Sequence, residues 1–138
     1  LHSAHHSKPF RALMGTSCSL QWNSIDQRAH VWTVKPTHPI AQGVPLEFTL
    51  DVEEMYGEYF NIPDPDDLIF VTWYQDGGCT FTRSAGKIFY FHPGHETGNS
   101  FFNPNVIRVI KNAIYWAKPI EKKNYRASEC VEPLEEVR

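Results

Sequence analysis

Cysteine is scarce in this sequence. Cys18, Cys79 and Cys130 are its only three, and they are widely spaced. They form no CxxC pair. That argues against a disulfide framework or a paired-cysteine metal motif, and makes a reducing cytoplasm the expected compartment. Excess basic charge is missing too. The 13 Lys and Arg stand against 16 Asp and Glu, for a net charge of -3. Nothing in that balance draws the chain to nucleic acid or to an anionic membrane. No apolar run approaches the roughly 20 residues of a membrane span, and no stretch reads as a secretory signal. The 8 glycines fall in neither a GxGxxG pattern nor a P-loop. A dinucleotide cofactor bound in the usual way is therefore not expected. No internal repeat is visible.

What is present is aromatic. Phe, Trp and Tyr make up 14% of the 138 residues. That fits a compact core or a site that stacks flat ligands such as sugars. Apolar content of 41% and charged content of 21% are those of a globular protein. The length allows one domain with a real core.

The most informative stretch is Lys87-Ile88-Phe89-Tyr90-Phe91-His92-Pro93-Gly94-His95-Glu96. Ile88 to Phe91 is a continuous aromatic and β-branched run. It predicts a strand covered on both faces. Pro93 and Gly94 stop the strand and turn the chain. In open α/β sheets, ligands bind just beyond the carboxyl ends of the strands. His95 and Glu96 would emerge there. Two imidazoles and a carboxylate in one short loop make it the leading candidate site.

The other elements follow in order. Ser7 as N-cap, Pro9 in the first turn and Gly15 beyond the end bracket a short helix over about Lys8 to Met14. The preceding Leu1-His2-Ser3-Ala4-His5-His6 feeds that helix and offers a second wall for the crevice. Ser17 to Ser24 reads as loop. Ala29 to Val34 and Leu46 to Leu50 alternate as strands. Between them, Pro39 and Gly43 suggest one helical turn, with His38 as a structural turn residue. Asp51 to Phe60 is an acidic and aromatic cluster, read mostly as solvated loop. Glu54 and Tyr56 stand out in it, because residues two apart in extended chain point the same way and can hold sugar hydroxyls.

Ile62 to Asp67 is a turn rich in Pro and Asp. Leu68 to Tyr74 is a buried strand, and Gln75 to Gly78 a tight turn. Cys79 to Arg83 and Lys87 to Phe91 form a hairpin, with Cys79 a packed thiol. A helix starts at N-cap Asn103 and Pro104. Its apolar positions are Val106, Ile107, Ile110, Ala113, Ile114 and Ala117, and Pro119 stops it. Residues 1–119 form the domain portion. Residues 120–138 are a charged tail.

These pieces resemble a known family in their order. Ser7-Lys8-Pro9-Phe10…Leu13-Met14-Gly15-Thr16-Ser17-Cys18 comes first, then His38-Pro39-Ile40…Gly43. Glu53-Glu54-Met55-Tyr56-Gly57-Glu58 follows, then Gly86-Lys87-Ile88-Phe89-Tyr90-Phe91…Gly94-His95-Glu96. Asn103-Pro104…Asn112-Ala113…Trp116-Ala117 closes the series. Together they look like the ThuA-like trehalose-utilisation family, from about Leu1 to Pro119. The resemblance implies an α/β fold of the flavodoxin-like, class I glutamine amidotransferase-like type, a three-layer sandwich. Against that pattern the chain starts at the end of the third strand, without the N-terminal strand-helix units. A half sheet exposes an apolar edge prone to pairing, so a homo-oligomer is one expected state.

Amidotransferases need a cysteine on a strand-to-helix elbow, with a His and a Glu from a loop ahead of the last helix. Phe91 to Glu96 resembles that loop. His2 stands where the nucleophile would be, and Ser3 is one step off. Glutamine hydrolysis through a thioester is therefore not expected. The resemblance implies instead a protein of disaccharide catabolism, acting on trehalose or a keto-sugar derivative. His2, His95 and Glu96 are the expected catalytic residues, and Glu54, Tyr56 and His5 the expected substrate holders. Imidazoles and carboxylates at strand ends serve as acid and base, or bind a metal such as zinc through His2, His5 and His95. A nicotinamide-dependent sugar oxidoreductase is the implied partner. The competing expectation is a non-catalytic sugar-binding or regulatory module that kept the crevice without the cysteine.

Overall fold

The computed structural model describes residues 7–9, 22–56, 64–72, 76–83, 86–94 and 98–119. Within these it gives the backbone alone at 22–27, 54–56, 76–79, 81 and 83. Among the described residues, five strands form one sheet: β1 (Trp22–Thr33), β2 (Glu47–Tyr56), β3 (Asp67–Thr72), β4 (Asp76–Arg83) and β5 (Gly86–Phe91). Their order is β2-β1-β3-β4-β5, and every neighbouring pair is antiparallel. One helix, α1 (Pro104–Ala117), packs on the sheet.

The described architecture is thus mixed α and β, as expected, with a small antiparallel sheet and one helix packed on it. The connections explain this. Only residues 84 and 85 separate β4 from β5. A link that short can join strands only as a hairpin, whereas parallel pairing needs a crossover of a dozen or more residues. The expected hairpin from Cys79 to Phe91 is present, with Phe81 opposite Ile88.

Several boundaries differ from expectation. Trp22 to Ser24 belong to β1 rather than to a loop. β2 continues to Tyr56, through much of the expected solvated loop. Asp76 to Gly78 lie in β4, not in a tight turn. β5 is last in the described sheet and half-buried, not covered on both faces. Lys8 and Pro9 are helical as expected, and the rest of that predicted helix lies outside the described residues.

The core sits between the sheet and α1. Val31, Leu50, Ile69 and Phe70 meet Val106 and Val109 there, with Ile40 from a 3-10 turn at Pro39–Ala41. Phe89 and Phe91 stack at a centroid distance of 5.8 Å and extend it. The helix begins as expected. Asn103 Oδ1 accepts from Asn105 N at 2.9 Å, and Pro104 needs no partner for its nitrogen. Its buried stripe is Val106, Val109 and Ala113. Ile107 and Ile114 were expected inside, but are 36% and 65% exposed. A helix on one sheet face buries a stripe only about 100° wide, and these two fall beyond its edge.

Two polar devices hold the end of the sheet where α1 finishes. Asn112 Nδ2 donates to Ile40 O at 2.9 Å and to Gln42 O at 2.8 Å, tying α1 to the 3-10 turn. His38 is buried at the start of that turn. Its Nδ1 accepts from Ile40 N at 3.2 Å, and its Nε2 lies 3.7 Å from Asp67 Oδ2. Lys35 pairs with the other oxygen of Asp67. Burial pushes the imidazole below its ordinary value of 6.5. Asp67 opposes that fall and Lys35 adds to it. His38 is thus the structural turn residue expected from the sequence.

Two predictions follow from these contacts. Asn112→Ala removes two amide bonds of about 1 kcal/mol each, and alanine's better helix propensity returns about 0.5. Urea denaturation is expected to show a net loss of about 1 kcal/mol or somewhat more. The unfolded chain protonates His38 near 6.5, the folded protein only at lower pH. Stability from the neutral imidazole is thus complete above 6.5 and is lost as pH falls through the lowered folded-state value. Unfolding of wild type and His38→Gln between pH 8 and 4.5 should show the stability difference shrinking over that window. A constant difference would refute this role for His38.

Candidate functional site

The site is built where β2 ends. β2 starts with strict alternation: Phe48 and Leu50 face the core, Thr49 and Asp51 face away. On that pattern Glu53 would join Asp51 outside. The ladder breaks first. Ala29 pairs with Leu50 and Gln27 with Glu53, so two steps on β1 oppose three on β2. This β-bulge shifts the faces by one residue, and a bulge of this kind re-aims side chains. Glu53 turns inward and is 4% exposed.

Its carboxylate fastens a distant segment. Glu53 Oε2 accepts from Gly94 N at 3.0 Å. β2 and β5 lie at opposite margins of the sheet, which flat would be about 19 Å apart. β1 pairs with β3 only at Val31, Trp32 and Thr33. The rest of the β1–β2 ribbon has no partner strand on its β3 side among the described residues, so it can curl. β2, β3 and β5 run in one direction, so the carboxyl ends of β2 and β5 open at the same end of the sheet. The segment from Phe91 to Gly94 spans the remaining gap.

Gly94 is required here. Its φ of +134° lies where side chains are rarely tolerated, and a methyl on it would overlap the ring of Phe101. The next turn is fastened as well. Ser100 is buried and its Oγ donates to Val52 O at 3.2 Å. Ser100–Phe102 forms a 3-10 turn that leads directly into α1. Between β2 and this turn lies a cleft of about 220 Å³. It is lined by Leu50, Asp51, Val52, Asn99, Ser100, Phe102 and Asn103.

Chemically, the most telling atom is Glu53 Oε1. It is buried and has no hydrogen-bond partner among the described residues. A buried carboxylate oxygen without a partner is costly, and such atoms are rare outside sites that supply one. Other polar clusters differ. His30 Nε2 lies 3.2 Å from Glu47 Oε2 and its ring lies against Trp32, all on the outer face of the β1–β2 ribbon. The His38, Asp67 and Lys35 cluster is committed to the 3-10 turn.

His2, His5, His95 and Glu96 lie outside the described residues, so their convergence stays an expectation. Glu54 and Tyr56 lie in β2, with their backbone alone described. Among the described residues, no three His, Cys, Asp or Glu side chains form a group that could hold a metal ion. No described helix is long and apolar enough to cross a membrane. Sequence reasoning passed over Glu53 in favour of Glu54. The signal it lacked was the bulge, which depends on how β1 and β2 register.

Comparison with known proteins sets this geometry in context. A family described as ThuA, trehalose utilisation, matches residues 1–117. No curated protein matches the chain. Among solved structures, a ThuA-like protein from Bacteroides uniformis is similar, with a TM-score of 0.53 at 14% identity. The match covers 87% of this chain and 57% of that one, and at such identity the likeness is one of fold alone. With the family match running over 117 of its 138 residues, the chain belongs to the ThuA, trehalose-utilisation family.

Proposed function

We propose that this protein acts in disaccharide catabolism, on trehalose or an oxidised keto form of it, in the crevice beyond β2 and β5. The observation that carries the proposal is Glu53. One of its oxygens anchors Gly94, the residue immediately before His95 and Glu96, and the other is buried without a partner. Such an anchor holds a catalytic loop against a rigid strand, which is how positional precision is obtained. We further propose that the described sheet is the antiparallel margin of a flavodoxin-like, amidotransferase-like sandwich. Large α/β sheets often carry such a margin, and the fold likeness supports it.

In this reading His95 transfers the proton and Glu96 orients its ring. His2 faces it from the opposite wall. Histidine suits the role because its unperturbed pKa, near 6.5, lets it give and take protons at neutral pH. A keto group acidifies the neighbouring C–H and takes up the electron pair as an enolate, so an imidazole base can remove that proton where a hydrogen-bond donor holds the enolate oxygen. Glu54, Tyr56 and His5 hold hydroxyls. A nicotinamide-dependent sugar oxidoreductase would be the partner that supplies the oxidised sugar. Glu53 is a positioning residue, acting through Gly94.

The test is turnover and binding of trehalose and its keto form. His95→Ala should lower kcat by about 100-fold or more, with sugar binding retained. Glu53→Ala leaves the Gly94 N–H unpaired. It should lower kcat less, and Gly94→Ala should do the same by displacing the loop. Binding without turnover in the wild type would make the protein a sugar-binding module. Stoichiometric zinc, lost in both His2→Ala and His95→Ala, would replace acid–base chemistry with metal-assisted chemistry.

A further inference from the structure

The cleft beside Glu53 is small. Its volume of about 220 Å³ is below the roughly 300–1,000 Å³ of sites that enclose drug-sized ligands. It is matched in size to one sugar ring.

Its lining is specific in kind. Phe102 is 80% exposed, whereas Ser100 in the same turn is 3% exposed. The turn thus buries its hydroxyl and holds a phenyl ring in water at the cleft wall. That is an unfavourable arrangement for the isolated protein. It suits a ring that stacks on the apolar face of a ligand. Around it stand Asp51, Asn99 and Asn103. Asn103 spends its oxygen on the helix cap, which leaves its NH₂ as the available donor. The Asp51 side chain is 89% exposed, and its contact with Arg28 is a loose 3.9 Å. Such a surface pair contributes little and leaves the carboxylate free to accept. An aromatic face, a carboxylate acceptor and amide groups together match the alternation of C–H faces and hydroxyl edges on a pyranose. No Lys or Arg is among the lining residues. The Asp51 carboxylate, only loosely paired with Arg28 at 3.9 Å, disfavours a sugar phosphate.

The cleft also adjoins the crevice. Val52 lines it and directly precedes Glu53, and Ser100 bonds the Val52 carbonyl. We infer that this cleft is a subsite for one uncharged pyranose ring, taking the second ring of a disaccharide whose reacting ring lies beyond Glu53. This rests on the carbohydrate reading above.

Calorimetric titration of the full chain with glucose, trehalose and glucose 6-phosphate tests it, alongside turnover assays on the same proteins. Wild type should bind glucose and trehalose, and glucose 6-phosphate more weakly than glucose. Phe102→Ala should weaken glucose and trehalose binding about fivefold to tenfold. Phe102→Trp should restore it, and Asn99→Ala should weaken it less. Phe102 is too exposed for its loss to unfold the protein. Unchanged affinity in Phe102→Ala, or tighter binding of the phosphate, overturns the subsite. Turnover of trehalose without measurable glucose binding overturns the subsite and leaves the carbohydrate reading intact. Glucose binding lost in Phe102→Ala, with no turnover on either sugar in the wild type, supports the subsite and overturns the catalytic reading.

Discussion

The hydrogen bond from Gly94 N to Glu53 Oε2 is the constraint on which the candidate site depends. It joins the two margins of the sheet. Together with the bond from Ser100 Oγ to Val52 O, it draws the free end of the β1–β2 ribbon to the segment after β5. With it, the carboxyl ends of β2 and β5, the Ser100–Phe102 turn and the start of α1 share one wall. A neutral amide bond is worth only about 1 kcal/mol net, and a bond to a charged acceptor about 1.5–3. Its importance lies in geometry: it sets where the chain enters residue 95.

That geometry needs three local permissions. The bulge between Leu50 and Glu53 turns the carboxylate inward. Gly94 adopts a φ that side chains resist, under the ring of Phe101. Ser100 fastens the following turn to Val52. The first two are departures from ideal strand geometry, and the third is an ordinary hydrogen bond that ties the next turn to the same strand. The opposite end of the sheet is built differently. There His38, Asp67, Lys35 and Asn112 satisfy one another or the backbone of the Pro39–Ala41 turn. That end secures the helix to the sheet. The end at Glu53 keeps a buried oxygen in reserve.

Elements whose signals are local were legible in the chain. The α1 start at Asn103-Pro104 follows from a cap and a proline acting within one turn. The β4–β5 hairpin follows from two strand-forming runs separated by a pair of residues. His38 as a turn residue follows from the Pro39 behind it. The inner face of α1 was only partly legible. Ile107 and Ile114 share the helical spacing of Val106 and Ala113, and periodicity cannot say how wide the covering sheet will be. The family resemblance was legible because it rests on ordered motifs spread over the chain, and the match to residues 1–117 bears it out.

The sequence by itself determined the strands of the hairpin, the capped helix, the breaks at Pro and Gly and the family. The elements are encoded in neighbours a few residues apart, where backbone sterics and hydrogen bonding act directly, and the family in the order of motifs along the chain. Tertiary structure alone decided that the described sheet is antiparallel throughout, that Glu53 and not its neighbour turns inward, and that Phe102 stands exposed over a cleft. These depend on register and packing between separate segments of the chain. A one-residue slip in a strand exchanges its two faces. No local pattern can report such a slip, because the residues that impose it lie on the other strand.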